Sequence, residues 1–113
     1  MRKFNRDLEK VIEATGIETI VSFPFNETET LRATSIDILD LNTRSSNGLR
    51  RQGVDTLGKL IDNWSKVSSW RGLGANSVKE IKNNFYDYYY STLSKEDVEK
   101  FWERFVTMNY KVN

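Results

Sequence analysis

The chain has 113 residues, a formal net charge of +1, and neither cysteine nor histidine. This length suffices for one modest core, and the lack of cysteine excludes disulfides and thiolate sites. Without histidine the protein lacks the commonest general base and metal ligand, so we predict no enzyme, cofactor or metal site. It has no apolar run that could span a membrane and no signal segment at its start, so we expect a cytoplasmic protein without a membrane partner.

The N-terminal third predicts one short helix followed by an extended segment. Apolar residues share one face of a helix over residues 5–15, and Gly16 is placed to end it. Residues 18–25 are rich in β-branched and aromatic side chains, which favours a short strand or an extended connector. Residues 26–34 are polar and predict a loop, so we place a domain boundary after residue 34.

The middle of the sequence predicts a compact bundle of short helices. The predicted helices and helical turns cover residues 44–52, 57–63, 66–70 and 75–90. Thr43 and Thr56 are the expected N-caps of the first two, and Ser35 is placed to cap a turn before them.

The last predicted element is an amphipathic helix that begins after Ser94. Ser94 and Asp97 resemble a capping box, and apolar residues then recur at helical spacing up to Val106. We therefore predict an all-α fold in which an N-terminal helix and connector (1–34) precede a central domain (35–91). The C-terminal helix, within residues 92–113, is expected to pack on that domain.

Positive charge is concentrated in the middle of the sequence. Residues 41–85 carry eight lysines and arginines against three acidic residues, whereas both flanking segments have more acidic than basic residues. Such an excess is typical of a surface that faces phosphate groups. Chance asymmetry on a solvated surface is the alternative interpretation.

Gly72-Leu73-Gly74 predicts a tight turn that leads directly into a helix. The glycines allow a sharp turn and close approach of a ligand, while Leu73 would anchor the turn in the core. A helix N-terminus leaves backbone N–H groups unpaired and carries partial positive charge, which suits an anion. Together with the preceding turn, the pattern is typical of a helix-hairpin-helix motif, which usually holds a nucleic-acid phosphate.

Three consecutive segments resemble the C-terminal domain of the bacterial RNA polymerase alpha subunit. They are Leu39-Asp40-Leu41-Asn42-Thr43-Arg44-Ser45-Ser46-Asn47-Gly48-Leu49, Gly53-Val54-Asp55-Thr56-Leu57-Gly58-Lys59-Leu60 and Trp70-Arg71-Gly72-Leu73-Gly74-Ala75-Asn76-Ser77-Val78-Lys79-Glu80-Ile81-Lys82. The resemblance covers about residues 35–88. It implies a helical domain that acts in transcription and binds the minor groove of A·T-rich double-stranded DNA.

The resemblance also implies which residues contact DNA. Arg44 and Asn47 would enter the groove, where a narrow A·T tract attracts arginine and offers acceptors to asparagine. Gly74 and Ser77 would contact the phosphate backbone. The full predicted DNA-binding set is Arg44, Asn47, Gly72, Gly74, Asn76, Ser77 and Lys79.

The sequence departs from the family pattern just after the second hairpin glycine. The family commonly has basic residues there, whereas this protein has Ala75 and Asn76. Loss of one phosphate contact would flatten the salt dependence of binding by about one unit of slope. An alternative function is therefore a protein-interaction module with little DNA affinity that contacts RNA polymerase or a transcription regulator. Arg44 could then simply pair with Asp40 or Glu80. The sequence does not indicate an oligomeric state.

Overall fold

The computed structural model describes residues 2–20 and 22–110, and their regular secondary structure is helical. The α-helices are α1 (Lys3–Thr15), α2 (Glu29–Ala33), α3 (Thr43–Arg51), α4 (Leu57–Asp62), α5 (Ala75–Ser91) and α6 (Lys95–Tyr110). Two short 3₁₀ helices cover Ile36–Leu39 and Val67–Ser69. No strand occurs among the described residues, so the predicted all-α class is confirmed. The helix-hairpin-helix motif remains a prediction, since only a 3₁₀ turn precedes the hairpin.

Two local predictions are wrong. Residues 26–34, predicted as a loop, contain α2, because the Thr28 side chain accepts the N–H of Leu31 at 3.1 Å and Leu31 is buried. The N-cap of α3 is Asn42 rather than Thr43, since Asn42 Oδ1 accepts the N–H of Ser45 at 2.9 Å. Asparagine and threonine are both good caps, so sequence alone did not distinguish adjacent candidates.

Other helix ends are as predicted. Gly16 ends α1 in the left-handed conformation, with φ 72°. Thr56 caps α4, Ser35 caps the first 3₁₀ helix, and Ser94 accepts the N–H of Asp97 at 3.1 Å at the start of α6. Within the described part of residues 18–25 the backbone is irregular, so the connector is observed and not the strand.

The described residues divide into two units, each with its own core. The central unit is Glu27–Tyr88, and the terminal unit combines the described parts of Met1–Asn26 and Tyr89–Asn113. The sequence-based division into residues 1–34, 35–91 and 92–113, with the C-terminal helix packed on the central part, remains a prediction.

Aromatic rings form the core of the terminal unit. Phe4 of α1 stacks on Tyr90 with ring centroids 5.4 Å apart and meets the edge of Phe101 of α6 at 6.2 Å. The Tyr90 hydroxyl donates to Asp7 Oδ2 at 2.6 Å and accepts the indole N–H of Trp102 at 2.8 Å. Burial is the main reason that the pKa of Tyr90 rises to about 12. These contacts join α1 to α6.

In the central unit, α2 packs closely against α4. A Cβ atom added to Gly58 of α4 would lie only 2.9 Å from the backbone oxygen of Arg32 in α2. The Arg32 guanidinium also bonds Asp62 and Glu27, each at 2.7 Å. The hydrogen bond from Arg32 holds the pKa of Asp62 below its usual range. Together these contacts hold α2 against α4.

Candidate nucleic-acid interface

One face of α3 carries the first group of candidate residues. Arg44, Asn47 and Arg51 follow each other at i, i+3 and i+7, which places them on the same side of a helix. Arg44, Asn47 and Arg51 are all exposed. The opposite side of α3 is anchored by Leu49, which is fully buried. The helix therefore presents a cationic and amide-bearing face to solvent.

Helix α5 fixes the start of α3. The carboxylate of Glu80 accepts the backbone N–H of Asn42 at 3.3 Å, and the Asn84 side chain donates to the carbonyl of Leu39 at 3.0 Å. Glu80 thus holds the N-cap of α3 and forms no ion pair with Arg44. Within residues 2–20 and 22–110, Arg44 has no acidic partner, so the predicted alternative of a pair with Asp40 or Glu80 is wrong.

The hairpin between Trp70 and Ala75 packs directly on α3. Leu73 is 5% exposed, and its Cγ lies 2.9 Å from the position of a Cβ atom added to Gly48, with its Cδ2 closer still. A side chain at position 48 would force Leu73 to shift. Because Gly48 lies between Arg44 and Arg51 in α3, the contact brings the hairpin to the edge of the cationic face.

The two hairpin glycines differ in conformation. Gly72 has φ 90°, a left-handed conformation that L side chains rarely adopt, whereas Gly74 has no such angle and lies in open space. The carbonyl of Gly74 accepts the N–H of Val78 at 3.0 Å, so α5 begins directly after it. The first turn of α5 therefore opens at the hairpin, as the anion-site argument requires.

Three candidate residues lie in the first turns of α5 and differ in exposure. Asn76 and Lys79 are exposed, whereas Ser77 is only 7% exposed. The hydroxyl of Ser77 therefore offers little surface to a ligand, and its role in DNA contact remains a prediction.

Some cations of the central unit have acidic partners, whereas the cations of the candidate interface do not. Arg32, Arg50 and Lys59 each bond a carboxylate at 2.7–2.9 Å. Arg44, Arg51 and Lys79 have no such partner in the described parts of the protein. The sequence analysis did not include Arg51 in the site, although its i+7 spacing from Arg44 could have indicated it.

Comparison with known families identifies the central part of the sequence. The family of C-terminal domains of the bacterial RNA polymerase alpha chain matches residues 24–86, more than half of the sequence. The protein belongs to this family. The resemblance inferred from the three sequence segments is thereby confirmed. The match includes α2 through most of α5 and hence all seven predicted site residues.

Curated relatives of this alpha C-terminal domain protein are RNA polymerase alpha subunits. It is 38% identical over 69 residues to the alpha subunit of Carboxydothermus hydrogenoformans, which covers 60% of this chain and 22% of the relative. It is 39% identical over 95 residues to the alpha subunit of Borreliella afzelii, and the match covers 79% of this chain and 28% of the relative. It is 33% identical over 82 residues to the alpha subunit of Syntrophomonas wolfei, and the match covers 72% of this chain and 26% of the relative. The protein thus spans about a quarter of the length of these relatives. No solved structure matches it.

The alpha C-terminal domain is a non-catalytic domain, in agreement with the predicted lack of enzymatic activity. Among the described residues, no group of acidic side chains is arranged to hold a metal ion. None of the helices in that part of the protein is long and apolar enough to cross a membrane.

Proposed function

We propose that the central unit binds double-stranded DNA in transcription, with a preference for the minor groove of A·T-rich sequence. Arg44 and Asn47 enter the groove from the outer face of α3. The narrow A·T groove has enhanced negative potential that attracts an inserted arginine, and its floor carries acceptors that an asparagine amide reaches. Family membership supports this proposal, since the matched domain belongs to the RNA polymerase alpha subunit.

The packing of Leu73 on Gly48 is the single observation that carries the proposal. It joins the groove-facing side of α3 to the hairpin. One surface then presents both the side chains that would enter the groove, Arg44 and Asn47, and the backbone N–H groups of the hairpin. Phosphate contacts fix the register of a protein on the duplex, and base contacts specify sequence. The phosphate contacts would come from the hairpin and the start of α5, through Gly72, Gly74, Asn76 and Lys79. The nearly buried Ser77 would act through its backbone N–H.

Binding to an A·T-rich and a G·C-rich duplex of equal length tests the proposal. Fluorescence anisotropy at low salt should give tighter binding to the A·T-rich duplex. Arg44→Ala should weaken that binding and reduce the preference, at a cost of about 1–3 kcal/mol. Arg50→Ala is the matched control, since Arg50 belongs to the same helix but pairs with Asp37 at 2.7 Å.

Equal weak binding by the wild-type protein and Arg44→Ala would refute the groove assignment. Recovery of RNA polymerase or a transcription regulator, without binding to any duplex, would favour the protein-interaction alternative. Ala75 and Asn76 give that alternative its basis, because the first turn of α5 brings no cation before Lys79.

A further inference from the structure

The guanidinium of Arg51 lies at the junction of α3 and the hairpin. A Cβ atom added to Gly72 would lie 3.5 Å from Arg51 Nη1, so the guanidinium is in contact range of the turn. The side chain is exposed and has no ion-pair partner in the segments that the structure describes. An unpaired arginine therefore lies beside the same turn that Leu73 anchors to α3.

Arg50 shows that not every exposed arginine of α3 lacks an acidic partner. It is the neighbouring residue and is also exposed, yet its Nη2 bonds Asp37 Oδ1 at 2.7 Å. Arg50 is also rotated by about 100° around the helix axis from Arg51. Arg50 is thus neutralised within the fold, whereas the charge of Arg51 is available to a ligand.

We propose that Arg51 forms a phosphate contact at the hairpin, separate from the groove contact of Arg44. This inference rests on the proposed DNA-binding function. Seven residues of helix place the two arginines about 10 Å apart along α3. A minor groove is only about 6 Å wide, so while Arg44 lies in the groove Arg51 meets a bordering phosphate. Arg51 supplies the cation that Ala75 and Asn76 do not provide.

A phosphate contact has a distinct experimental signature. Each neutralised phosphate contributes about 0.9 to the slope of log affinity against log salt concentration. Arg51→Gln should reduce the magnitude of this slope by about 0.9. The loss of DNA affinity relative to the wild-type protein should become about 3.5-fold smaller between roughly 50 and 200 mM salt. The loss should be equal for A·T-rich and G·C-rich duplexes, because phosphate contacts carry no sequence information.

The experiment compares the wild-type protein with Arg51→Gln, Arg51→Lys and Arg50→Gln by anisotropy over a salt series on both duplexes. Arg51→Lys keeps the charge and should keep the slope. Arg50→Gln removes the same charge from the same helix and should leave the slope within error of wild type. Far-UV circular dichroism of each variant confirms that the helices are formed.

Three results would overturn the inference. If Arg51→Gln and Arg50→Gln have the same slope while Arg44→Ala still loses A·T preference, Arg51 makes no phosphate contact and the proposed function stands. If Arg51→Gln changes the preference between duplexes, Arg51 acts within the groove. If the wild-type protein binds neither duplex, the proposed function fails and the inference fails with it.

Discussion

The substitution Gly48→Ala tests the contact that joins α3 to the hairpin. The added methyl carbon would lie 2.9 Å from Leu73 Cγ and closer still to its Cδ2. Carbon atoms in contact prefer about 3.5 Å or more, so Leu73 would have to retreat by about 1 Å. Overpacking of this kind costs about 1–3 kcal/mol, whereas Gly→Ala inside a helix gains about 0.5–1 kcal/mol. We expect a net loss of about 0–2.5 kcal/mol in the free energy of unfolding.

A double-mutant cycle separates the two contributions to Gly48→Ala. Leu73→Ala alone should be destabilising by about 2–5 kcal/mol because it leaves a cavity. In the Leu73→Ala background the clash is absent, so Gly48→Ala should there be stabilising by about 0.5–1 kcal/mol. Gly74→Ala is the control within the hairpin, since a methyl group at Gly74 meets nothing within 4 Å and its effect on stability should be the same in the wild-type and Leu73→Ala backgrounds.

Urea unfolding followed by circular dichroism measures these differences. DNA affinity should fall together with stability in Gly48→Ala, because displacement of Leu73 moves the hairpin away from Arg44 and Asn47. If Gly48→Ala is instead stabilising by the full helix-propensity gain in the wild-type background, Leu73 does not occupy this position. The proposed DNA-binding surface, which combines the outer face of α3 with the hairpin, would then lose its structural basis.

Three further substitutions test the roles of single side chains. The fully buried Ser45 hydroxyl has no hydrogen-bond partner among the described residues, so Ser45→Ala should cost nothing and gain up to about 1 kcal/mol in urea unfolding. Asn42→Ala removes the cap of α3 and should be destabilising by about 1 kcal/mol; equal losses in both variants would contradict the hydrogen-bond assignment. Burial and the bond to Asp7 raise the pKa of Tyr90 to about 12, so its contribution to stability is complete below about pH 10 and is lost as the pH rises to about 12. Tyr90→Phe should abolish this alkaline loss in urea midpoints measured against pH, and an unchanged pH profile would show that the phenol is not buried.

Local sequence signals predicted most helix boundaries. Thr56 and Ser94 precede helices with ordinary capping chemistry, and Gly16 ends α1, because these effects depend on a few neighbouring residues. The error at α2 has a tertiary cause. Five residues make a marginal helix in isolation, and α2 is supported by packing on α4 through Gly58.

The candidate site was only partly predictable for the same reason. Arg44 and Asn47 follow from family resemblance, but the approach of Leu73 to Gly48 joins residues that are far apart in the sequence. Arg50 pairs with Asp37 whereas Arg51 has no acidic partner in the described segments, a difference that a linear pattern of two adjacent arginines does not reveal. The burial of Ser77 likewise depends on how α5 is oriented in the central unit.

Amide chemical shifts of the labelled 113-residue protein, measured with and without an A·T-rich duplex at low salt, test the central claim most directly. The account predicts that the largest changes occur in two stretches of the central unit, at residues 44–51 of α3 and at residues 72–79 of the hairpin and α5. Amides of α1 and α6 should change little. Changes concentrated in α1 and α6, or none at all with duplex in excess, would contradict DNA binding by this surface.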